Sequence, residues 1–176
     1  MKKIAVKKSK IHGTGLFLEQ DVSKSDFIAN IIGVLTTVKK QLLRTPTEAL
    51  MHPDWVGVSM SSWIDPARPF KYLNHSCNPS CGLKGKRRLY ALRDLKAGDE
   101  ITLDYSTVEA NPHWKMKCSC GANNCRGTVR SVAYLPKSIF KKYYPFFPTA
   151  FRKFYIKYKH LSLKGNPWIK KIKVFS

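Results

Sequence analysis

The last 67 residues of the chain contain no acidic residue, because all eleven Asp and Glu lie between Glu19 and Glu109. Residues 1–109 carry 17 Lys and Arg, and residues 110–176 carry 15, so the net charge of +21 is concentrated in the second segment. A basic segment without acids is typical of proteins that bind a polyanion, such as nucleic acid or an anionic membrane surface. A solvated tail that aids solubility is the alternative.

The sequence also lacks internal repeats and any apolar run of membrane-spanning length. Its start, MKKIAVKKSKIHG, has lysines but not the apolar core of a signal peptide. Its five cysteines are an odd number, and three are clustered with metal-type spacing rather than scattered as a disulfide framework. We therefore expect a reducing intracellular compartment, namely cytoplasm, nucleus or nucleoid.

Before residue 110 the apolar segments are short, rich in β-branched residues and separated by turn-forming residues, which predicts a mainly β, β-rich α+β fold. In EITLDY, apolar positions alternate with polar ones, which predicts a half-buried strand. One short helix is expected around Thr47–Met51. The expected strand segments are Ile4–Val6, Phe27–Val34, Trp55–Met60, Leu89–Leu92 and Ile101–Tyr105.

Twelve of the 21 aromatic residues lie from Tyr134 onward, interleaved with Lys and Arg. Aromatics at helical spacing predict a helix from Thr149 to His160, with a shorter helix after Pro136. The aromatic face of the longer helix has three interpretations. The first is that this face packs on the body of the protein. The second is that it exposes aromatics and lysines to nucleic acid, and the third is that it lies on an anionic membrane.

Four motifs carry candidate chemistry: HGTGLF at 12–17, NHSCNPSC at 74–81, GDEITLDY at 98–105 and KCSCGANNCRG at 117–127. The last places three thiols in CxCx4C spacing, whereas a closed structural zinc site needs four ligands. In this order and at these separations, the motifs closely resemble the SET-domain protein-lysine methyltransferases with a post-SET zinc segment. The resemblance covers about residues 3–130.

The resemblance implies a SET fold of small curved sheets with a pseudoknot. It places the SET domain at residues 1–110 and the post-SET zinc segment at 111–130, followed by a basic, partly helical extension at 131–176. It also implies S-adenosylmethionine as methyl donor and a lysine in a protein as acceptor. A histone or another DNA-associated protein is the expected substrate, and nucleic acid is a candidate partner of the basic segment.

The resemblance further implies that Cys77 joins the three downstream cysteines around a structural zinc. The expected metal ligands are Cys77, Cys118, Cys120 and Cys125. Four thiolates at about 2.3 Å close the site to catalytic water. His113 is an alternative ligand, and Cys81 is left over as a small buried hydrophobe. The pair His75 and Cys77 also fits a thiol hydrolase, but a zinc-bound thiolate is not a free nucleophile.

For the cofactor, the resemblance implies backbone contacts around GTG, where glycine permits close approach, and contacts from the Asn-His pair. The implied cofactor-binding residues are Gly13, Thr14, Gly15, Leu16, Asn74, His75 and Tyr105. A plain turn before the strand at Leu16 is the alternative interpretation of GTG.

Tyr105 matches the family's catalytic tyrosine. Methyl transfer needs a neutral amine, and with a pKa of about 10.4 only about one lysine in 10³ is neutral near pH 7. Burial and the positive charge of the cofactor depress that pKa. The remaining requirement is alignment, which a tyrosine hydroxyl supplies. Asp104 alternates to the other face of the strand, so we expect it to have a structural role.

Three positions depart from the family pattern: Leu103 and Ile31 stand where aromatics are usual, and Ser80 replaces an Asn. They leave the number of methyl groups added unassigned and favour an alternative function, a catalytically quiet, zinc-stabilised basic module that binds nucleic acid. If the chain does transfer methyl groups, another aromatic residue is expected to complete the lysine channel, and the candidates are Tyr72, Trp55 and Trp63.

Overall fold

The computed structural model describes residues 1–37, 55–59, 61–109, 111 and 114–158. Within them the chain forms short strands and two helices, α1 (Lys137–Tyr143) and α2 (Thr149–Tyr158), so the mainly β fold class is confirmed. The helix expected around Thr47–Met51 lies outside the described residues. The strands are β1 (Ile4–Lys8), β2 (Thr14–Leu18), β3 (Phe27–Asn30), β4 (Gly33–Thr37), β5 (Val56–Ser59), β6 (Ser62–Pro66), β7 (Asn74–His75), β8 (Cys81–Lys84), β9 (Arg88–Ala91), β10 (Glu100–Leu103), β11 (Lys115–Lys117) and β12 (Thr128–Arg130).

The described strands form four small sheets, in the orders β1-β2-β10-β7, β3-β9-β8, β4-β6-β5 and β11-β12. β7 runs parallel to β10, with Asn74 opposite Thr102 and His75 opposite Leu103. A parallel pair needs a long crossover connection, here the whole segment between residues 75 and 100. The NHSC and LDY motifs, distant in sequence, therefore lie side by side.

The half-buried strand predicted in EITLDY is wrong in two respects. β10 is buried on both faces, since Thr102 is 4% exposed, with Ile101 and Leu103 fully buried on the other face. The strand also ends at Leu103, and Tyr105 begins a 3₁₀ turn that Asp104 caps by accepting the Ser106 N–H at 3.0 Å. This cap is a structural role for Asp104, although it does not arise from strand alternation.

The apolar run Phe27–Val34, expected as one strand, forms β3 and the start of β4 in two different sheets. Gly33 begins β4 with φ +154°, and a Cβ there would overlap the carbonyl oxygen of Asp65. Close backbone approach at a glycine therefore ends one strand and starts the next.

The extension packs its aromatic face on the body, which confirms the first of the three interpretations. Phe147 and Phe151 are almost fully buried, and the Phe140 and Tyr155 rings stack with centroids 4.1 Å apart. Trp63 of β6 belongs to the same cluster. The second helix starts at Thr149 as expected, and its expected end at His160 lies outside the described residues.

Candidate functional site

Glu100, the first residue of β10, holds the loop that precedes β2. Its carboxylate accepts hydrogen bonds from Ser9 Oγ at 2.9 Å and from Asn74 Nδ2 at 2.8 Å. Asn74 Nδ2 also lies 3.2 Å from the carbonyl oxygen of His12 and 3.1 Å from that of Thr14. The amide of Asn74 is thus used to fix the loop, and Glu100 is a site residue that the sequence analysis did not single out.

The two glycines of GTG are explained by this loop. Gly13 has φ +48°, a left-handed conformation that favours glycine. A Cβ on Gly15 would overlap Glu100 Oε1. The backbone conformation therefore favours glycine at position 13, and a side chain at position 15 would displace the Glu100 carboxylate from its contacts, so both glycines have a structural explanation.

A cleft of about 510 Å³ lies beside this loop. Five of the predicted cofactor residues line it: Gly13, Thr14, Asn74, His75 and Tyr105. Residues 116–120 of the cysteine segment form another wall. Among the described residues, Gly15 and Leu16 lie outside this lining, because Gly15 faces Glu100 and Leu16 is fully buried in the central core.

A second, narrow pocket of about 20 Å³ lies on the other side of Tyr105. Its lining includes aromatic and aliphatic side chains from the start of β5 and the residue before it, from the 3₁₀ turn at residues 70–72, from β10 and from the loops on either side of residue 110: Trp55, Val56, Phe70, Leu103, Val108 and Trp114. The buried carboxyl group of Glu109 also belongs to it. Lys71, Leu73 and Tyr105 line both the pocket and the cleft, so these three residues form the wall between them.

Tyr105 is fixed in this wall by three contacts. Its hydroxyl donates to the Leu73 carbonyl oxygen at 2.6 Å, and its backbone N–H donates to His75 Nδ1 at 3.1 Å. The Tyr105 and His75 rings pack with centroids 5.2 Å apart. Because the hydroxyl proton is directed at Leu73, the Tyr105 oxygen acts as an acceptor towards any further donor.

The four predicted zinc ligands come together. Cys118 Sγ lies 3.9 Å from Cys77 Sγ and 3.7 Å from Cys125 Sγ, and Cys120 Sγ lies 3.4 Å from the Cys77 backbone nitrogen. Sulfurs of a tetrahedral zinc site with bonds of about 2.3 Å are about 3.8 Å apart. Burial raises the pKa of the Cys77 and Cys118 thiols, so a cation is needed to hold both as thiolates.

His75 offers an alternative fourth ligand. Its Nε2 and the sulfurs of Cys77, Cys118 and Cys120 all lie within 4.8 Å of one another. Since His75 Nδ1 accepts the Tyr105 N–H, the ring proton resides on Nε2, which faces Cys77 Sγ at 3.3 Å. Burial, helped by the positive charge of Arg126, lowers the pKa of His75 to about 4, so the ring is neutral. The other alternative, His113, lies outside the described residues.

Arg126 links the cysteine segment to the turn that carries Tyr105. Its Nη2 donates to Asp104 Oδ1 at 2.6 Å and its Nη1 donates to Ser106 Oγ at 3.0 Å. Its Nε and backbone N–H both point at Cys77 Sγ, at 3.3 and 3.4 Å. The sequence analysis did not predict this role for Arg126, and the only signals available were an arginine directly after the last cysteine and an Asp directly before the tyrosine.

The three candidates for the aromatic residue of the lysine channel lie in different parts of the structure. Trp55 lines the narrow pocket, Tyr72 lines the cleft, and Trp63 is buried among the aromatics of the extension. Trp114, which was not predicted, also lines the narrow pocket.

Of the three departures from the family pattern, Leu103 lines the narrow pocket, whereas Ile31 is fully buried in the central core. Ser80 is bonded to β10, with its Oγ accepting the Thr102 N–H at 2.8 Å.

Comparison with known proteins gives a match to the SET domain over residues 13–106. Three curated relatives are a histone-lysine N-methyltransferase, ASHR3, of Arabidopsis thaliana (30% identity over 72% of this chain and 28% of the relative), and two enzymes from yeasts. The latter are an H3 lysine-4 specific enzyme of Schizosaccharomyces pombe (32%, over 68% and 14%) and an H3 lysine-36 specific enzyme of Debaryomyces hansenii (29%, over 69% and 18%). The chain thus spans at most 28% of the length of these three relatives.

Proposed function

The chain belongs to the SET-domain family, and we propose that it transfers a methyl group from S-adenosylmethionine to the side-chain amine of a lysine in a histone. One observation carries this proposal: a cleft and a pocket meet at a wall of Lys71, Leu73 and Tyr105. A group-transfer enzyme needs two sites that meet where the reacting atoms do. The histone as substrate is supported by the names of the relatives.

The cleft fits S-adenosylmethionine in size, since small-molecule sites are typically about 300–1,000 Å³ and this cleft is about 510 Å³. Gly13, Thr14, Asn74 and Tyr105 are its proposed contacts. His75 belongs to this set through its main chain or ring face, because both ring nitrogens face protein atoms. When bound, the cofactor supplies an electrophilic methyl group.

Tyr105 is the proposed catalytic residue. Its hydroxyl oxygen is anchored by Leu73 and can accept a hydrogen bond from the lysine amine, which fixes the direction of the nitrogen lone pair. Desolvation by the aromatic and aliphatic side chains of the narrow pocket lowers the pKa of that lysine, whereas an ionised Glu109 carboxylate in the same lining would raise it. The pocket is narrow, so we expect Trp55 and Trp114 to move apart as the lysine enters.

Zinc is the proposed metal, held by Cys77, Cys118, Cys120 and Cys125. The resemblance to post-SET segments favours this set, and Cys125 Sγ lies 3.7 Å from Cys118 Sγ, whereas mutual proximity within 4.8 Å favours the set in which His75 replaces Cys125. All four positions are then filled by protein, so the metal has a structural role. It holds residues 116–120 as a wall of the cofactor cleft.

A protein with these thiolates is expected to work in a reducing compartment, and a nuclear location would suit a histone substrate. Among the described residues, the helices are too short and too polar to cross a lipid bilayer.

The experiment is incubation of the purified chain with methyl-labelled S-adenosylmethionine and core histones, followed by mass spectrometry of the products. We expect labelled lysine, and a rate of labelling lower by about 100-fold or more with Tyr105→Phe. Absence of label with the parent chain, together with calorimetric binding of S-adenosylmethionine, would favour the catalytically quiet module instead. Absence of both transfer and cofactor binding would overturn the assignment of the cleft.

A further inference from the structure

The turn between β8 and β9 carries a run of basic residues that the proposed function does not use. Residues 84–88 read KGKRR, here called the basic hairpin. The extension docks directly on it: Thr149 N–H donates to the Gly85 carbonyl oxygen at 2.9 Å, and Gly85 also forms a bridge with Pro148. The basic hairpin and the start of α2, about 60 residues apart in sequence, are therefore in contact, and together with the exposed lysines of α1 and α2 they are here called the basic surface.

This surface has little negative charge to neutralise it. Residues 66–93 and 110–176 contain no Asp or Glu. Lys86 of the hairpin, Lys142 of α1 and Lys153 of α2 are all exposed. Among the described residues, the ion pairs involve Lys2, His75, Lys96 and Arg126, and none involves residues 84–88 or 137–153. The positive charge of the surface is therefore available to a partner.

Among the described residues, cations lie over several aromatic rings of the surface, although Tyr144 is still 52% exposed. Lys84 Nζ lies 4.4 Å from the centre of the Phe146 ring and 4.8 Å from that of Tyr90, and the Arg152 guanidinium lies 5.6 Å from that of Tyr144. Proteins that bind single strands stack bases on open aromatic faces. The cations and the packing of the extension disfavour that mode, and phosphate contacts remain.

The surface is also poor in exposed apolar side chains. Among the described residues of the extension, only Tyr144 (52%) and Ile156 (48%) are large, apolar and exposed. A helix that lies in a membrane interface presents a broad apolar face to the lipid, whereas here that face is buried against the protein.

We propose that the basic hairpin and the outward lysines of α1 and α2 bind the phosphate backbone of duplex DNA without reading its sequence. Such contacts give affinity and position but no base recognition. They also overcome the repulsion between an enzyme of net charge +21 and a basic protein substrate, because DNA bridges the two. The DNA contact stands on this surface alone and does not depend on the proposed methyl transfer.

The test is fluorescence anisotropy of a labelled mixed-sequence duplex at several salt concentrations, without methyl donor. The variant Lys86→Glu/Lys142→Glu/Lys153→Glu is compared with the control Lys3→Glu/Lys7→Glu/Lys24→Glu, which changes the net charge equally at exposed lysines elsewhere. Removal of three phosphate contacts makes the negative slope of log affinity against log salt less steep by about 2.7. We expect that reduction and at least about a tenfold loss of affinity in the first variant only.

Four results would overturn the proposal. These are no binding by the parent chain, equal loss in both triple variants, tighter binding to a single strand than to the duplex, and tighter binding to phosphatidylserine vesicles than to the duplex. Melting temperatures of both variants within a few degrees of the parent show that the comparison concerns folded protein. Because no methyl transfer is measured, a failed transfer assay and a failed DNA assay remain distinguishable.

Discussion

The two sides of Tyr105 differ in how sequence encodes them. The cofactor cleft is lined by residues of recognisable motifs, in the loop at Gly13, in β7 at Asn74 and in the cysteine segment. The narrow pocket is lined by residues from unrelated positions, including Trp55, Phe70 and Trp114. Under the proposed function the constraints on the two sides differ, because the cleft would bind one invariant small molecule, whereas the pocket and its rim would bind one protein.

The cleft side is also held by more hydrogen bonds between segments that are distant in sequence. Glu100 bonds Ser9 and Asn74, and Arg126 bonds Asp104 and the Cys77 sulfur. The pocket side is held mainly by apolar packing. We therefore expect polar and metal-site substitutions to act on the cofactor, and aromatic substitutions in the pocket to act on the lysine substrate.

Removal of zinc is expected to have the largest effect, because it releases one wall of the cleft. Cys118→Ser should lose zinc and abolish both measurable cofactor binding and transfer, since structural zinc contributes on the order of 10 kcal/mol to local folding. Elemental analysis and titration calorimetry with S-adenosylmethionine measure the two losses. Cys81→Ala is the matched control, because Cys81 is buried outside the metal cluster. Full cofactor affinity in zinc-free Cys118→Ser would show that the cleft binds its ligand without the metal.

Tyr105→Phe should separate binding from turnover. Loss of the hydroxyl removes the alignment of the amine but leaves the ring packed on His75. We expect kcat to fall by about 100-fold or more, with the dissociation constant of S-adenosylmethionine nearly unchanged in calorimetry. Tyr72→Phe is the control, since Tyr72 lines the cleft but not the pocket. An equal loss of turnover in both variants would argue against a special role for Tyr105.

Arg126→Lys should have an intermediate effect on the cofactor side. Lysine keeps the charge but cannot bond Asp104, Ser106 and Cys77 together as the planar guanidinium does. Loss of a hydrogen bond to a charged group costs about 1.5–3 kcal/mol. We expect zinc to be retained and cofactor affinity to fall by about tenfold, measured by elemental analysis and calorimetry. In the control Arg130→Lys, which alters a residue stacked on Tyr134, affinity should not change. Parental affinity in Arg126→Lys would show that zinc alone positions the segment.

The fold class followed from the strand pattern and the resemblance, and the residues that line the cleft were predicted through the resemblance of short motifs to a known family; such motifs are recognisable because they mark places where few residue types fit. Gly13 and Gly15 stand where φ is positive or a carboxylate approaches, and closely spaced thiols indicate a metal site. The contacts of Glu100 and Arg126 were not predictable, because they depend on β7 lying parallel to β10 and on the cysteine segment returning to Asp104. Such long-range pairing leaves no local periodicity.

The lining of the narrow pocket was predicted least well. Trp55, Trp63 and Tyr72 were equal candidates by residue type, yet the fold places each in a different environment. The half-buried pattern predicted for β10 was wrong for a related reason: β10 lies inside its sheet, and other segments of the protein cover both of its faces. Burial by distant segments overrides local patterning.

Trp114→Phe should have the smallest effect and act on the pocket side alone. The smaller ring leaves the apolar character of the pocket intact but removes part of its wall. We expect a few-fold rise in the KM for a histone peptide, about 1 kcal/mol or less, with kcat and cofactor affinity nearly unchanged in steady-state kinetics. Trp63→Phe is the matched control: Trp63 is equally buried but packs on the extension, so its substitution should lower the melting temperature without altering KM. If Trp114→Phe instead weakened the cofactor and spared the peptide, the division of the site at Tyr105 would be wrong, because a residue on one side would then act on the ligand of the other.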